Sequence, residues 1–205
     1  MPRMSLEERR SLLLDAAWRV LSTQGVQAAT TRAICAEAQM PQSAFHYCFR
    51  SRHELLREVV VGLLPQQVEA SLSVVDRRGS LQTVLRKALA SYWDHVEAEP
   101  LLHSVLYEIT TTALRDPALV DLAHMQYRRA HKSVSEVLQV IAEIRGVNWT
   151  LPLPVLARMV VNVLDGMTLN YIVDRDSKAA RAALDAFAPI IAGLAKPSRA
   201  GNRAK

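Results

Sequence analysis

Between Thr30 and Leu56 the chain reads TTRAICAEAQMPQSAFHYCFRSRHELL, and its polar groups fall where they can hydrogen-bond outward. Thr30 is a good N-cap for a short helix in which Ile34 and Ala38 lie four apart and face a core together. Gln39 to Pro41 make a turn, and Pro41 suits the first position of a second helix over Gln42 to Cys48. With Phe45 and Phe49 packed inward, Gln42, Ser43, His46 and Tyr47 point away from the core. A helix this short is unstable alone, so a scaffold must carry it. Ser51 and Glu54 form a capping-box signature for a third helix near Arg52. Arg50, Arg52 and His53 then crowd a helix N-terminus, which disfavours cations by up to about 1 kcal/mol each. A phosphate placed there reverses the sign, because helix N–H groups and Arg side chains both bind it.

The segment resembles the DNA-binding domain of the tetracycline-repressor (TetR) family of transcriptional regulators. Thr30, Thr31, Arg32, Ile34, Ala36, Ala38, Tyr47, Phe49, Ser51, Arg52, Glu54 and Leu55 carry the likeness. It covers roughly the first 60 residues in detail and the rest only in length and helical rhythm. The chain has Gln39 where the family usually has Gly, Ser43 where Gly or Pro is usual, Ala44 where Thr is usual, and His46 where Tyr is common. The resemblance implies that Thr31, Tyr47 and Arg52 bind phosphate and that Arg32 and Gln42 read base edges. Arg pairs with guanine O6/N7 and Gln with adenine N6/N7 in the major groove. Ser43, His46 and Arg50 complete the expected DNA-binding set.

These groups need positioning elements. Ser5 and Glu8 make another capping box, and Leu6, Leu13, Ala17, Val20 and Leu21 form a stripe that runs until Gly25 ends the helix. Arg3, Arg9 and Arg10 at its start form a solvated face or touch the minor groove or backbone. Beyond Leu56 the pattern stays helical, with no alternating strand segment. The spacing predicts helices near 51–76, 80–98, 100–114, 117–145, 153–175 and 178–195, with Pro65 kinking the first of them. The expectation is an all-α, nine-helix TetR-like fold: a helix-turn-helix DNA-binding domain over 1–50, a helical effector-binding and dimerisation domain over 51–195, and a basic disordered tail over 196–205.

The second domain offers two further chemistries. Leu156, Val160, Val163, Leu164, Met167 and Tyr171 share one side of a helix, while Met159, Leu169 and Val173 share another. Ala183, Leu184, Phe187, Ile190, Ile191 and Leu194 of the last helix are likewise expected to meet a second partner. Gly166 lets a neighbouring helix come close. Two such helices from each of two subunits make a four-helix interface, as the resemblance also implies. A homodimer would read a palindromic duplex with half-sites about 34 Å apart, or a multiple of that. In similar proteins the helices bearing Trp93, His103, Tyr107, Thr111, Tyr127, His131, Asn162, Asp165 and Tyr171 surround an effector cavity. An apolar cleft with a few polar groups suits a small molecule of unknown identity.

Composition bounds these readings. The 205 residues are half apolar, enough to bury about 70% of the unfolded surface. The net charge of +5 owes most to the acid-free tail, where Lys196, Arg199, Arg203 and Lys205 stand. The basic balance therefore counts for less than the arrangement around Arg52. Cys35 and Cys48 make no disulfide framework. No secretory apolar segment and no membrane-length run is present, since Val59 to Leu64 is cut by Pro65, so the chain is expected in a reducing cytoplasm, away from membranes. No nucleophile–base arrangement marks an enzyme, and no cofactor is called for. His124 and His131, seven apart, lack a ligand cluster for metal. The rival to a ligand-released repressor is a nonspecific or ligand-independent structural DNA-binding protein.

Overall fold

The computed structural model describes residues 4–63 and 79–198. Its α-helices, in chain order, are α1 (Leu6–Ala28), α2 (Thr31–Glu37), α3 (Gln42–Cys48), α4 (Arg52–Leu63), α5 (Leu81–Ala98), α6 (Pro100–Ala113), α7 (Val120–Arg145), α8 (Leu153–Asp174) and α9 (Ser177–Ala192). A 3-10 turn, Pro117–Leu119, precedes α7. The nine-helix, all-α expectation holds among the described residues. The Pro65 kink, the expected stretch of α4 past residue 63, Arg3, and residues 199–205 lie outside them.

Local chemistry sets most of the boundaries. Ser5 and Glu8 close both halves of their box, at 3.1 and 2.6 Å. The side chains of Thr30, Ser80 and Asp176 accept the third backbone N–H of α2, α5 and α9. Each such cap is worth about 1 kcal/mol. Pro41 stands at the N-cap of α3, one position before the expected one. Gly25 breaks the helical path of α1 with φ 83°, a conformation open to glycine and costly to other residues.

One expectation is corrected. Val147–Trp149 (β1) pairs antiparallel with Ala195–Pro197 (β2), in the register Val147 with Pro197 and Trp149 with Ala195. Lys196 and Pro197, read as the start of the tail, are thus held in a ladder. Ser198 extends it by donating its N–H to Gly146 O. The strands are three residues each, too short for an alternation to show.

The packing forms two compact units. The first takes the described residues of Met1–Leu64 and Leu101–Gln126, and the second those of Pro65–Pro100 and Tyr127–Lys205. In the first, α1 to α4 share a core with α6 and the beginning of α7: Leu13, Val20, Ile34, Phe45, Phe49, Leu55, Ile109, Leu119 and Leu122 are all essentially buried. In the second, Trp93, Val96, Ile141, Leu156, Ala157, Ala188 and Ile191 form the centre. Trp93 stacks edge-on against Tyr171 with centroids 5.3 Å apart. Arg181 on α9 ties back to Asp94 and Glu97 on α5.

Candidate DNA interface and polar cluster

In the first unit, α3 is fixed from beneath by Phe45 and Phe49, fully buried and 5.6 Å apart between centroids. Burying a Phe side chain is worth about 1.5–3 kcal/mol, which offsets the cost of ordering so short a helix. Its other side is open. Gln42, Ser43, His46 and Tyr47 are exposed, as are Arg32 on α2 and Arg50 before α4, while Thr31 is half-buried. Among the described residues no hydrogen bond or ion pair engages the side chains of Arg32, Gln42, Ser43 or Arg50. Tyr47 is 68% exposed, with the Arg9 guanidinium 5.9 Å from its ring centroid.

Arg52 is placed otherwise than expected. It is half-buried, its Nε donates to Ala29 O at 2.6 Å, and its terminal nitrogen donates to Val26 O. Desolvation lowers its pKa, partly countered by the charge of Asp116. The guanidinium closes the carbonyl end of α1, where a cation is favoured. Val26 is held from its other side too, since its N–H donates to Glu108 Oε1 at 2.7 Å. Arg10, expected at the surface, bonds Cys48 O and pairs with Glu58, its guanidinium 4.3 Å from the centre of the Phe49 ring. At the head of α4, Ser51 Oγ accepts Glu54 N–H, but the Glu54 carboxylate turns to Arg50 N–H at 2.8 Å. Cys35 and Cys48 are buried free thiols, and desolvation raises the pKa of Cys35.

The expected effector residues divide between the units. His103, Tyr107 and Thr111 belong to the first. His103 is buried, Tyr107 half-buried, and the exposed Thr111 returns its hydroxyl to the carbonyls of Tyr107 and Glu108 on its own helix. Trp93, Tyr127, His131, Asn162, Asp165 and Tyr171 belong to the second. Trp93 and Tyr171 are core residues there, and the Trp93 indole N–H donates to Glu97 at 2.8 Å. Asn162 is exposed.

Tyr127 and His131 on α7 and Asp165 on α8 do come together. The ring centroids of Tyr127 and His131 are 6.1 Å apart. The Tyr127 phenol is hydrogen-bonded to Asp165, and burial together with that carboxylate pushes its pKa up to about 12. Two residues that sequence reasoning missed join them. Tyr92 on α5 shares a 3.2 Å hydrogen bond with the fully buried Thr168 on α8. Its pKa is also pushed up to about 12, chiefly by burial, with Asp165 adding and Thr168 opposing. Burial first, then the charge of Arg158, lowers the pKa of His131 against the pull of Asp165. The available signal was that Asp165 and Thr168 lie one turn apart on one face.

A third surface lies on α8 and α9. Val155, Met159, Asn162, Gly166, Leu169 and Val173 are exposed at helical spacing, and the space above Gly166 is open. On α9, Ala179, Ala182, Ala183, Ala186 and Ile190 are exposed. Here the sequence reading is corrected: Leu184 and Ile191 are buried in the unit's own core, with Phe187 and Leu194 packed against it, because α9 turns that face to its own unit.

Among the described residues no group of three His, Cys, Asp or Glu is placed to hold a metal ion, and no helix is long and apolar enough to cross a membrane. A reading helix on a buried scaffold, followed by a helical bundle, defines a helix-turn-helix regulator. Comparison with known proteins is specific: residues 13–59 match the bacterial regulatory proteins of the tetR family, and residues 81–194 match the C-terminal domain of BetI-type transcriptional repressors. The chain belongs to the TetR family; it is a DNA-binding transcriptional repressor and not an enzyme. The HTH-type nicotine-responsive transcriptional repressor HdnoR of Paenarthrobacter nicotinovorans is 30% identical over 172 residues, covering 84% of this chain and 88% of that protein. A transcriptional regulator from Rhodococcus sp. RHA1 shares the fold with TM-score 0.71 at 20% identity, over 91% of this chain and 97% of that one. A TetR-family regulator structure from Mesorhizobium loti gives 0.75 at 16% identity, over 94% and 99%.

Proposed function

We propose that the protein is a cytoplasmic homodimer that holds a palindromic operator through α2 and α3 and lets it go when a small molecule binds its C-terminal helices. The observation that carries this reading is the outward, uncommitted polar set on α3 above buried Phe45 and Phe49. In it Arg32 and Gln42 read base edges. Thr31, Ser43, His46, Tyr47 and Arg50 position the head on backbone or base. Arg52 acts through the scaffold, with its guanidinium on Val26 and Ala29. The exposed faces of α8 and α9 meet their copies across a two-fold axis, so that two reading heads address two half-sites.

The nicotine-responsive relative supports release by a small molecule and makes nicotine the first compound to try. Ligand and operator oppose each other if the ligand prefers the conformation whose heads no longer match the half-site spacing. A coupling of about 1–3 kcal/mol would change operator affinity roughly 5- to 150-fold.

Selection of bound duplexes from a random pool, followed by a screen for compounds that release the enriched sequence, tests both ends of the switch. Arg32→Ala and Gln42→Ala are each expected to cost about 1–3 kcal/mol on the enriched site while leaving random-duplex binding nearly unchanged. Equal competition by every duplex would instead mark a nonspecific structural DNA-binding protein.

A further inference from the structure

Gly25 interrupts the helical path of α1, and the peptide that follows it is held by charged groups from two later elements. Val26 is fully buried, so the N–H released by the break needs an acceptor. Glu108 supplies it: the carboxylate reaches from α6, 82 positions along the chain, and accepts the N–H at 2.7 Å. It can lie so close because Gly25 has no side chain; a Cβ there would stand 2.7 Å from one carboxylate oxygen and 3.1 Å from the other. On the carbonyl side, Arg52 at the head of α4 donates to Val26 O and to Ala29 O. Desolvation works against that guanidinium's charge, and Asp116 counters it. All of these residues belong to the first compact unit.

What this clip holds is the short approach to α2. Ala28 O accepts the Thr30 N–H at 2.7 Å, and Thr30 Oγ1 caps α2 by accepting the Ala33 N–H at 3.1 Å. Thr31 and Arg32 follow at once. A turn of the Val26–Ala29 segment therefore swings the start of α2 and the side chain assigned to base reading with it. We propose that Glu108 is a positioning residue of the reading head: with Arg52 it fixes the Val26–Ala29 segment from both sides and so sets the aim of Arg32, neither side chain touching the duplex. Both charged groups serve through the hydrogen bonds they make to backbone. This assignment rests on the reading roles proposed above for α2 and α3 and extends them to α6.

The test is duplex binding by the full chain, measured against salt, on the sequence enriched by selection and on a random duplex. Glu108→Ala, which leaves Val26 N–H without its acceptor, is expected to weaken binding to the enriched site about tenfold, as if one base contact were lost, and to leave random-duplex binding and both salt slopes unchanged. A loss of folded protein alone would lower both affinities together, and that result overturns the proposal. Glu108→Gln keeps an acceptor oxygen and is expected to restore the selectivity. Arg52→Ala is expected to act as Glu108→Ala does, and the two together to lose less than their sum, because both work through one segment. Unaltered selectivity in Glu108→Ala, a Gln variant as poor as the Ala variant, or a salt slope lower by about one in Arg52→Ala, the mark of a phosphate contact, would each overturn the assignment. Where Glu108→Ala fails to fold, Glu108→Asp, one methylene too short for the bond, carries the same expectation. Failure of the reading roles is separate: Arg32→Ala and Gln42→Ala would then hold the enriched site as the unaltered chain does.

Discussion

Gln39 holds φ 54° in the turn between α2 and α3, in the left-handed region that glycine enters freely. The left-handed region costs an L-residue about 1–2 kcal/mol, and the greater freedom of glycine in the unfolded chain takes back about 0.5–1. Gln39→Gly should therefore stabilise the protein by about 0.5–1 kcal/mol, read as a higher denaturant midpoint with unchanged slope. No gain at all would mean that the Gln39 side chain makes up for the strain. Gly25 is the opposite case. Its φ is 83°, a conformation that disfavours any side chain, and a Cβ there would stand 2.7 Å from Glu108 Oε1 and push that carboxylate off Val26 N–H. Arg52 and Arg10 show why individual roles outran the sequence. Their acceptors are carbonyls and a carboxylate brought near by tertiary packing, and nothing in the spacing of Arg10 and Glu58 announces the pair. The outward placement of Gln42, Ser43, His46 and Tyr47 was legible because it needs no partner in the chain.

Helices were legible where their signals are local. Ser5 with Glu8, Thr30, Ser80 and Asp176 each cap within three residues, and the helix starts they mark fall where expected or within one residue. The β1–β2 pair was not, because each strand draws its meaning from a partner far along the chain. The same holds for Tyr92 and Thr168, and for the junction of α5 with α9. There Glu97 accepts from Trp93, Ser177 and Arg181. Burial raises its pKa, but the hydrogen bonds from Arg181 and Ser177, the charge of Arg181 and the bond from Trp93 outweigh that, so the net shift is downward. A carboxyl whose folded pKa lies below its unfolded value adds stability that is complete above about pH 4.5 and is lost as pH falls through the folded pKa. Glu97→Gln should thus cost about 1 kcal/mol at neutral pH and nothing once both forms are protonated. Melting curves from pH 7 to pH 3 should converge on the acid side. Curves that stay parallel would remove the carboxylate from this role.

On the scale of the molecule, the exposed stripe on α8 is the largest unmet demand. Leu169 is 51% exposed and Val173 80%, and Ile190 on α9 is 61% exposed. Apolar surface of this kind suits the two-fold contact proposed above. Leu169→Asp with Ile190→Asp should convert a sedimenting dimer to a monomer and weaken operator binding by about tenfold or more, since each head then binds alone. A double variant that still sediments as a dimer would place the interface elsewhere. The sequence revealed that both helices had two apolar faces, yet it assigned Leu184 and Ile191 outward. Periodicity counts faces; only packing says which one the core takes.

The discontinuous make-up of the first unit bears on how such regulators can be cut and recombined. Ile109, Ala113, Leu119 and Leu122 come from a later stretch of chain yet complete the hydrophobic centre around Leu13, Ile34 and Phe45. A hybrid repressor that grafts only the leading sixty-odd residues onto a foreign sensor would inherit a half-roofed core, and its author would need to carry α6 across as well.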